Sequence, residues 1–131
     1  MNTKTIMIAS SVFLLTSGIA YTFLPDELLN SLNVEDTSLL KLILQLTGAL
    51  YLGFAVLNWM QRKQIIGGIY GRPLLLANMI HFISGAFAFI KIFTILSPSA
   101  VIMLYGLLYL AFASFFSILL FKNPAVESKQ I

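Results

Sequence analysis

Four runs of apolar residues divide the chain, over 5–24, 38–59, 74–96 and 100–121. Each is close to the roughly 20 residues that carry an α-helix across the ~30 Å hydrocarbon core of a bilayer. An acidic segment, 25–37, separates the first two runs, and a basic, glycine-rich segment, 60–73, separates the middle two. Only Ser97-Pro98-Ser99 lies between the last two, too short a link for anything but an antiparallel helical hairpin. The pattern predicts an all-α fold, an antiparallel four-helix transmembrane bundle filling 1–131 as one domain.

Spacing within the runs assigns faces. Ser10, Leu14, Ser17 and Tyr21 recur at intervals of three and four, so they share one side of the first helix. That side is expected to face inward, where hydroxyls find partners. Lys4 and the small residues Gly18 and Ala20 would also fit a cleavable signal peptide, but apolarity continues through Tyr21, Phe23 and Leu24, which favours a retained helix. In the second run Gln45, Gly48, Leu52 and Ala55 share a face, while Ala49 and Gly53 form a small-xxx-small pair suited to close helix contact. Asp36, Thr37 or Ser38 is placed to cap that helix. Lys41, near its outer end, is within snorkelling distance of the interface, as is Lys91 in the third run. The fourth run carries an aromatic stripe, Tyr105, Tyr109, Phe112 and Phe116, beside a small-residue stripe, Gly106, Ala113 and Ser117. Tight contact is expected on the small stripe, and lipid or neighbour contact on the aromatic one. Segment 25–37 starts with Pro25, Asp26 and Glu27, as helix N-termini do, and has an apolar set in Leu28, Leu29 and Leu32. It reads equally as a short helix on the membrane surface or as an irregular polar loop.

Composition gives the solvent. Hydrophobic residues make up 59% of the 131 and charged residues 10%, against about 25% charged in soluble domains. Such a chain cannot cover itself with polar surface in water, so lipid must surround it. The absence of cysteine excludes disulfides and thiolate metal sites. A single histidine, His81, excludes a multi-histidine metal site within one chain, and no cofactor is expected. The net charge of +3 comes from cations at span ends, where lipid headgroups and topology account for them without nucleic acid. Lys4, Arg62, Lys63, Arg72, Lys122 and Lys129 fall on one side of a four-span arrangement, and four of the five acids fall on the other. The positive-inside rule then places both termini and the central segment in the cytoplasm of a bacterial inner membrane.

Polar residues inside spans are the first place to look for function, because burying them in lipid is costly. Asn58, Asn78 and His81, with Tyr51 nearby, fall near the inner ends of the second and third helices. They form a candidate pocket for a lipid headgroup or small amphipathic ligand; the competing reading is a hydrogen-bonded clasp between helices. Arg62, Lys63 and Arg72 are candidate contacts for a headgroup or a partner. Gly67-Gly68-Ile69-Tyr70-Gly71 would let backbone amides face an anion, but it lacks the Walker lysine–serine pattern and a preceding strand, so a basic turn explains it better. No span holds a clearly embedded carboxylate, which counts against coupled transport. His81 and Lys91 stand ten residues apart, roughly 15 Å along a helix, too far to act as one catalytic group.

Leu24-Pro25 with its leucine-rich surface segment, Thr47-Gly48-Ala49-Leu50-Tyr51-Leu52-Gly53, and Asn58-Trp59 followed by Arg62 resemble a group of small four-span bacterial membrane proteins. DoxX-like four-helix proteins are a more distant likeness. The resemblance implies the fold and carries no activity. The leading expectation is a non-enzymatic accessory or structural subunit of a larger membrane complex, in contact with lipid and with a membrane-protein partner or further copies of itself. The alternative is a lipid- or small-ligand-binding protein, and a membrane enzyme or transporter comes third.

Overall fold

In a computed structural model that describes residues 3–63, 71–95 and 97–122, every regular element is helical. The order is α1 (Thr3–Phe23), α2 (Pro25–Ser31), α3 (Ser38–Gln61), α4 (Gly71–Ile95) and α5 (Ala100–Lys122). Four of these, α1, α3, α4 and α5, are long and apolar enough to cross a membrane. The chain divides into two compact units, Met1–Arg62 and Lys63–Ile131. The first is the pair α1 and α3 with α2 at its turn, and the second is the pair α4 and α5.

The boundaries of the helices refine the sequence expectation at both sides of the central segment. Helix α3 continues to Gln61, two residues beyond the expected end, and α4 starts at Gly71 rather than 74. Pro73 does not delay the start, because the first four amides of a helix have no acceptor within it and a residue lacking N–H loses nothing there. The glycine run through Tyr70 and the tail 123–131 lie outside the described residues.

Segment 25–37 resolves in favour of a helix. Pro25 opens α2 directly after Leu24, and Leu29 is buried while Leu28 and Leu32 are half-buried. Asn33 then takes a left-handed conformation, φ 53°, one that asparagine tolerates better than most side chains. Thr37 caps α3, its hydroxyl accepting from the Leu40 amide at 3.3 Å. Lys41 does more than snorkel: its ammonium lies 2.5 Å from Asp26 and 2.8 Å from Asp36, tying the start of α2 and the end of the loop to α3. Lys41→Met should therefore speed hydrogen exchange at the amides of 25–36 and leave those of α1 and α3 unchanged; equal exchange rates would refute this role.

Helices α1 and α3 run antiparallel, since Ser10 meets Asn58, Ser11 meets Ala55 and Gly18 meets Gly48. The expected inward side of α1 is the one buried, with Ser10, Leu14 and Ser17 enclosed and Tyr21 against Tyr51, ring centroids 5.4 Å apart. The closest approach is at two glycines. A Cβ on Gly48 would lie 2.8 Å from the Thr22 amide nitrogen and 2.9 Å from the Gly18 carbonyl oxygen. One on Gly18 would lie 3.0 Å from the Gly48 carbonyl oxygen and 2.9 Å from Leu52 Cγ. The Cα hydrogens that occupy those directions thus point at each other's carbonyls, the weak Cα–H···O contact of closely packed helices. Ala49 and Gly53, the pair expected to make such a contact, are both exposed, and nothing lies within 4 Å of a Cβ built on Gly53. Successive residues on a helix point about 100° apart, so Gly48 facing α1 turns Ala49 and Gly53 away from it.

Helices α4 and α5 also run antiparallel, but here aromatic rings fill the seam. Phe82, fully buried, stacks on Phe112 and Phe116 at 4.9 and 5.6 Å and meets Tyr109 edge-on at 5.3 Å. Glycines on each helix accommodate rings from the other, Gly85 beneath Tyr109 and Gly106 beneath Phe93. The aromatic stripe of α5 is therefore its inner face. The small-residue stripe contributes to the same burial through Gly106 and Ala113.

Candidate functional site

Each polar residue singled out in the spans has a definite setting. Asn58 is fully buried, and its amide donates to the Ser10 hydroxyl at 3.1 Å. The Ser10 hydroxyl in turn donates to the Met7 carbonyl of its own helix at 3.1 Å. One turn along, the Ser11 hydroxyl donates across the seam to the Ala55 carbonyl at 2.7 Å. The Asn58–Ser10 and Ser11–Ala55 bonds form two rungs between α1 and α3, one to two turns in from the end where Lys4 and Arg62 lie. Tyr51 belongs to the same seam through its ring contact with Tyr21.

In the second unit Asn78 is fully buried and its amide donates to the Leu74 carbonyl at 2.9 Å, one turn earlier in its own helix. His81 is half-buried, with Nε2 3.3 Å from the Tyr109 hydroxyl. That separation is long for a hydroxyl bond, and its direction depends on which ring nitrogen carries the proton. The imidazole also touches the rings of Phe82 and Tyr109, at 5.0 and 5.6 Å between centroids, so aromatic packing holds it as much as hydrogen bonding does.

The three basic candidates differ. Arg62 folds back on its own helix: its guanidinium carbon sits 4.0 Å from the centre of the Trp59 ring, and one nitrogen donates to the Trp59 carbonyl. Lys63 and Arg72 are exposed. The sequence placed Ser10 on the inward face without naming its partner, and grouped Tyr109 in a stripe expected to meet lipid or a neighbour, whereas Tyr109 is buried in the α4–α5 seam. It passed over Ser11, although Ser11, Leu14 and Gly18 follow helical spacing and are all buried. The bonds of Asn58 to Ser10 and of His81 to Tyr109 each join the two helices of one hairpin.

No family model, curated protein or solved structure matches the chain. The class of the protein rests on its helices: it is an integral membrane protein of the α-helical type, with four candidate spans among the described residues.

Proposed function

We propose that the protein is a non-enzymatic accessory subunit of a larger membrane assembly, seated through the outer face of α3. The observation that carries this reading is the open side of that helix. Leu39, Leu42, Leu46, Leu50 and Val56 are all more than half exposed or at half, and the Ala49–Gly53 pair lies among them with free space over Gly53. Small residues let a second backbone approach closely, which is how helices associate in lipid, where no hydrophobic drive separates a helix from its surroundings. The polar side chains support the same reading, because the bonds of Ser11, Asn58 and His81 join the two helices of each hairpin.

The test is a photoreactive residue at position 53 of the full chain in native membranes, read by mass spectrometry after mild solubilisation. A cross-link to another polypeptide in fixed stoichiometry is the expected result. Recovery of the chain alone, or cross-links confined to its own α4 and α5, would overturn the proposal.

A further inference from the structure

We infer that the end of the first hairpin carrying Lys4 and Arg62 binds the phosphate of anionic phospholipid headgroups, with Trp59 setting the depth. The antiparallel register puts these residues together at one end. Lys4 lies six residues before Ser10 and Arg62 four residues after its partner Asn58, placing them roughly 9 and 6 Å beyond that bond along their helices. The four described acids, Asp26, Glu27, Glu35 and Asp36, all lie at the opposite end, where Lys41 already pairs with two of them. Charge is thus separated along the hairpin, basic at the end carrying Lys4 and Arg62 and acidic at the other.

Arg62 adds geometry to this charge. Stacking on the indole and bonding to the Trp59 carbonyl hold the guanidinium at the rim of the helix instead of extended into water. Trp59 is 46% exposed, as an aromatic residue at the level of headgroups would be. A planar guanidinium with donors remaining beyond that carbonyl matches a phosphate better than a point charge does. A zwitterionic headgroup also offers a phosphate, but its own ammonium or choline competes for it, so the surface should select lipids with net negative charge.

The experiment is native mass spectrometry of the full chain purified in a neutral detergent with equimolar phosphatidylglycerol and phosphatidylcholine. The wild-type protein should retain phosphatidylglycerol preferentially. Lys4→Gln and Arg62→Gln should each lower that preference about fivefold, the effect of one basic residue at an anionic surface. Lys41→Gln, at the other end, should leave it unchanged. Inorganic phosphate at millimolar concentration should not displace the lipid; full displacement would identify a free-anion site and overturn the assignment to a headgroup. Equal retention of the two lipids, or a preference that survives the Lys4 and Arg62 substitutions, would overturn it as well. Circular dichroism on each variant keeps a folding defect from being read as lost binding.

Discussion

Gly48→Leu is expected to pry the first hairpin apart. Even alanine at this position puts a carbon inside 3 Å of two backbone atoms of α1, the Thr22 nitrogen and the Gly18 oxygen, and backbone cannot rotate out of the way as a side chain would. Overpacking of this kind costs about 1–3 kcal/mol. Replacing a helical glycine contributes about 1 kcal/mol in the opposite direction, so Gly48→Ala should already lose up to about 2 kcal/mol. Leucine adds three further carbons with no additional compensation, so the clash dominates. The expected result is loss of the Ser11–Ala55 and Asn58–Ser10 bonds together, since both depend on the same approach of α1 and α3. The only tryptophan, Trp59, is on α3, so its emission reports this hairpin during denaturant titration. Gly53→Leu is the matched comparison: with open space over Gly53, the hairpin should be as stable as in the wild-type protein. Equal sensitivity at the two glycines would refute the crossing described here.

The contrast between Gly48 and Gly53 shows where the sequence was informative. Span number, length and connection were legible because lipid imposes them: about 20 apolar residues suffice for a crossing, and acids or prolines interrupt the runs where the chain turns. The inward side of α1 was legible through the serines, because hydroxyls cost more on a lipid-facing surface. The contact side of α3 was legible only as a grouping: Gly48, Leu52 and Ala55 were placed on one face, but close contact was expected at Ala49 and Gly53. Gly48, Ala49 and Gly53 are all small, the helix is apolar all round, and lipid is as good a solvent for leucine as a protein seam is. Periodicity then groups residues without choosing among faces, and only the position of α1 distinguishes the two glycines.

The polar candidates show a related limit. Asn58, Asn78 and His81 were recognisable as costly residues, and their depth followed from counting along the helix. Their partners were not recognisable. Ser10 is 48 residues from Asn58 in sequence, Leu74 contributes only a carbonyl, which every residue has, and Tyr109 was one ring in a stripe of four. A pocket and a clasp require the same residue types, so composition cannot separate them.

Two substitutions at the α4–α5 seam decide whether rings or the hydrogen bond hold it. Phe82→Ala is expected to be the most damaging single change in this unit. Its ring is fully buried and touches those of His81, Tyr109, Phe112 and Phe116. In water the loss would combine transfer and cavity contributions, about 3–5 kcal/mol for Phe→Ala. In lipid the transfer part largely vanishes, so a loss below that range, about 2 kcal/mol, is expected from packing and cavity alone. Tyr109→Phe removes only the hydroxyl and its 3.3 Å bond to His81, keeping the ring over Gly85. Interhelical hydrogen bonds in membranes average about 0.6 kcal/mol, so this variant should be nearly as stable as the wild-type protein. Hydrogen exchange of α4 and α5 in detergent measures both. Should Tyr109→Phe destabilise the pair as much as Phe82→Ala, the hydroxyl–imidazole bond would be the main fastening and the aromatic seam secondary. The expected order, with Phe82→Ala costing several times more, makes His81 a residue held in place by the rings around it.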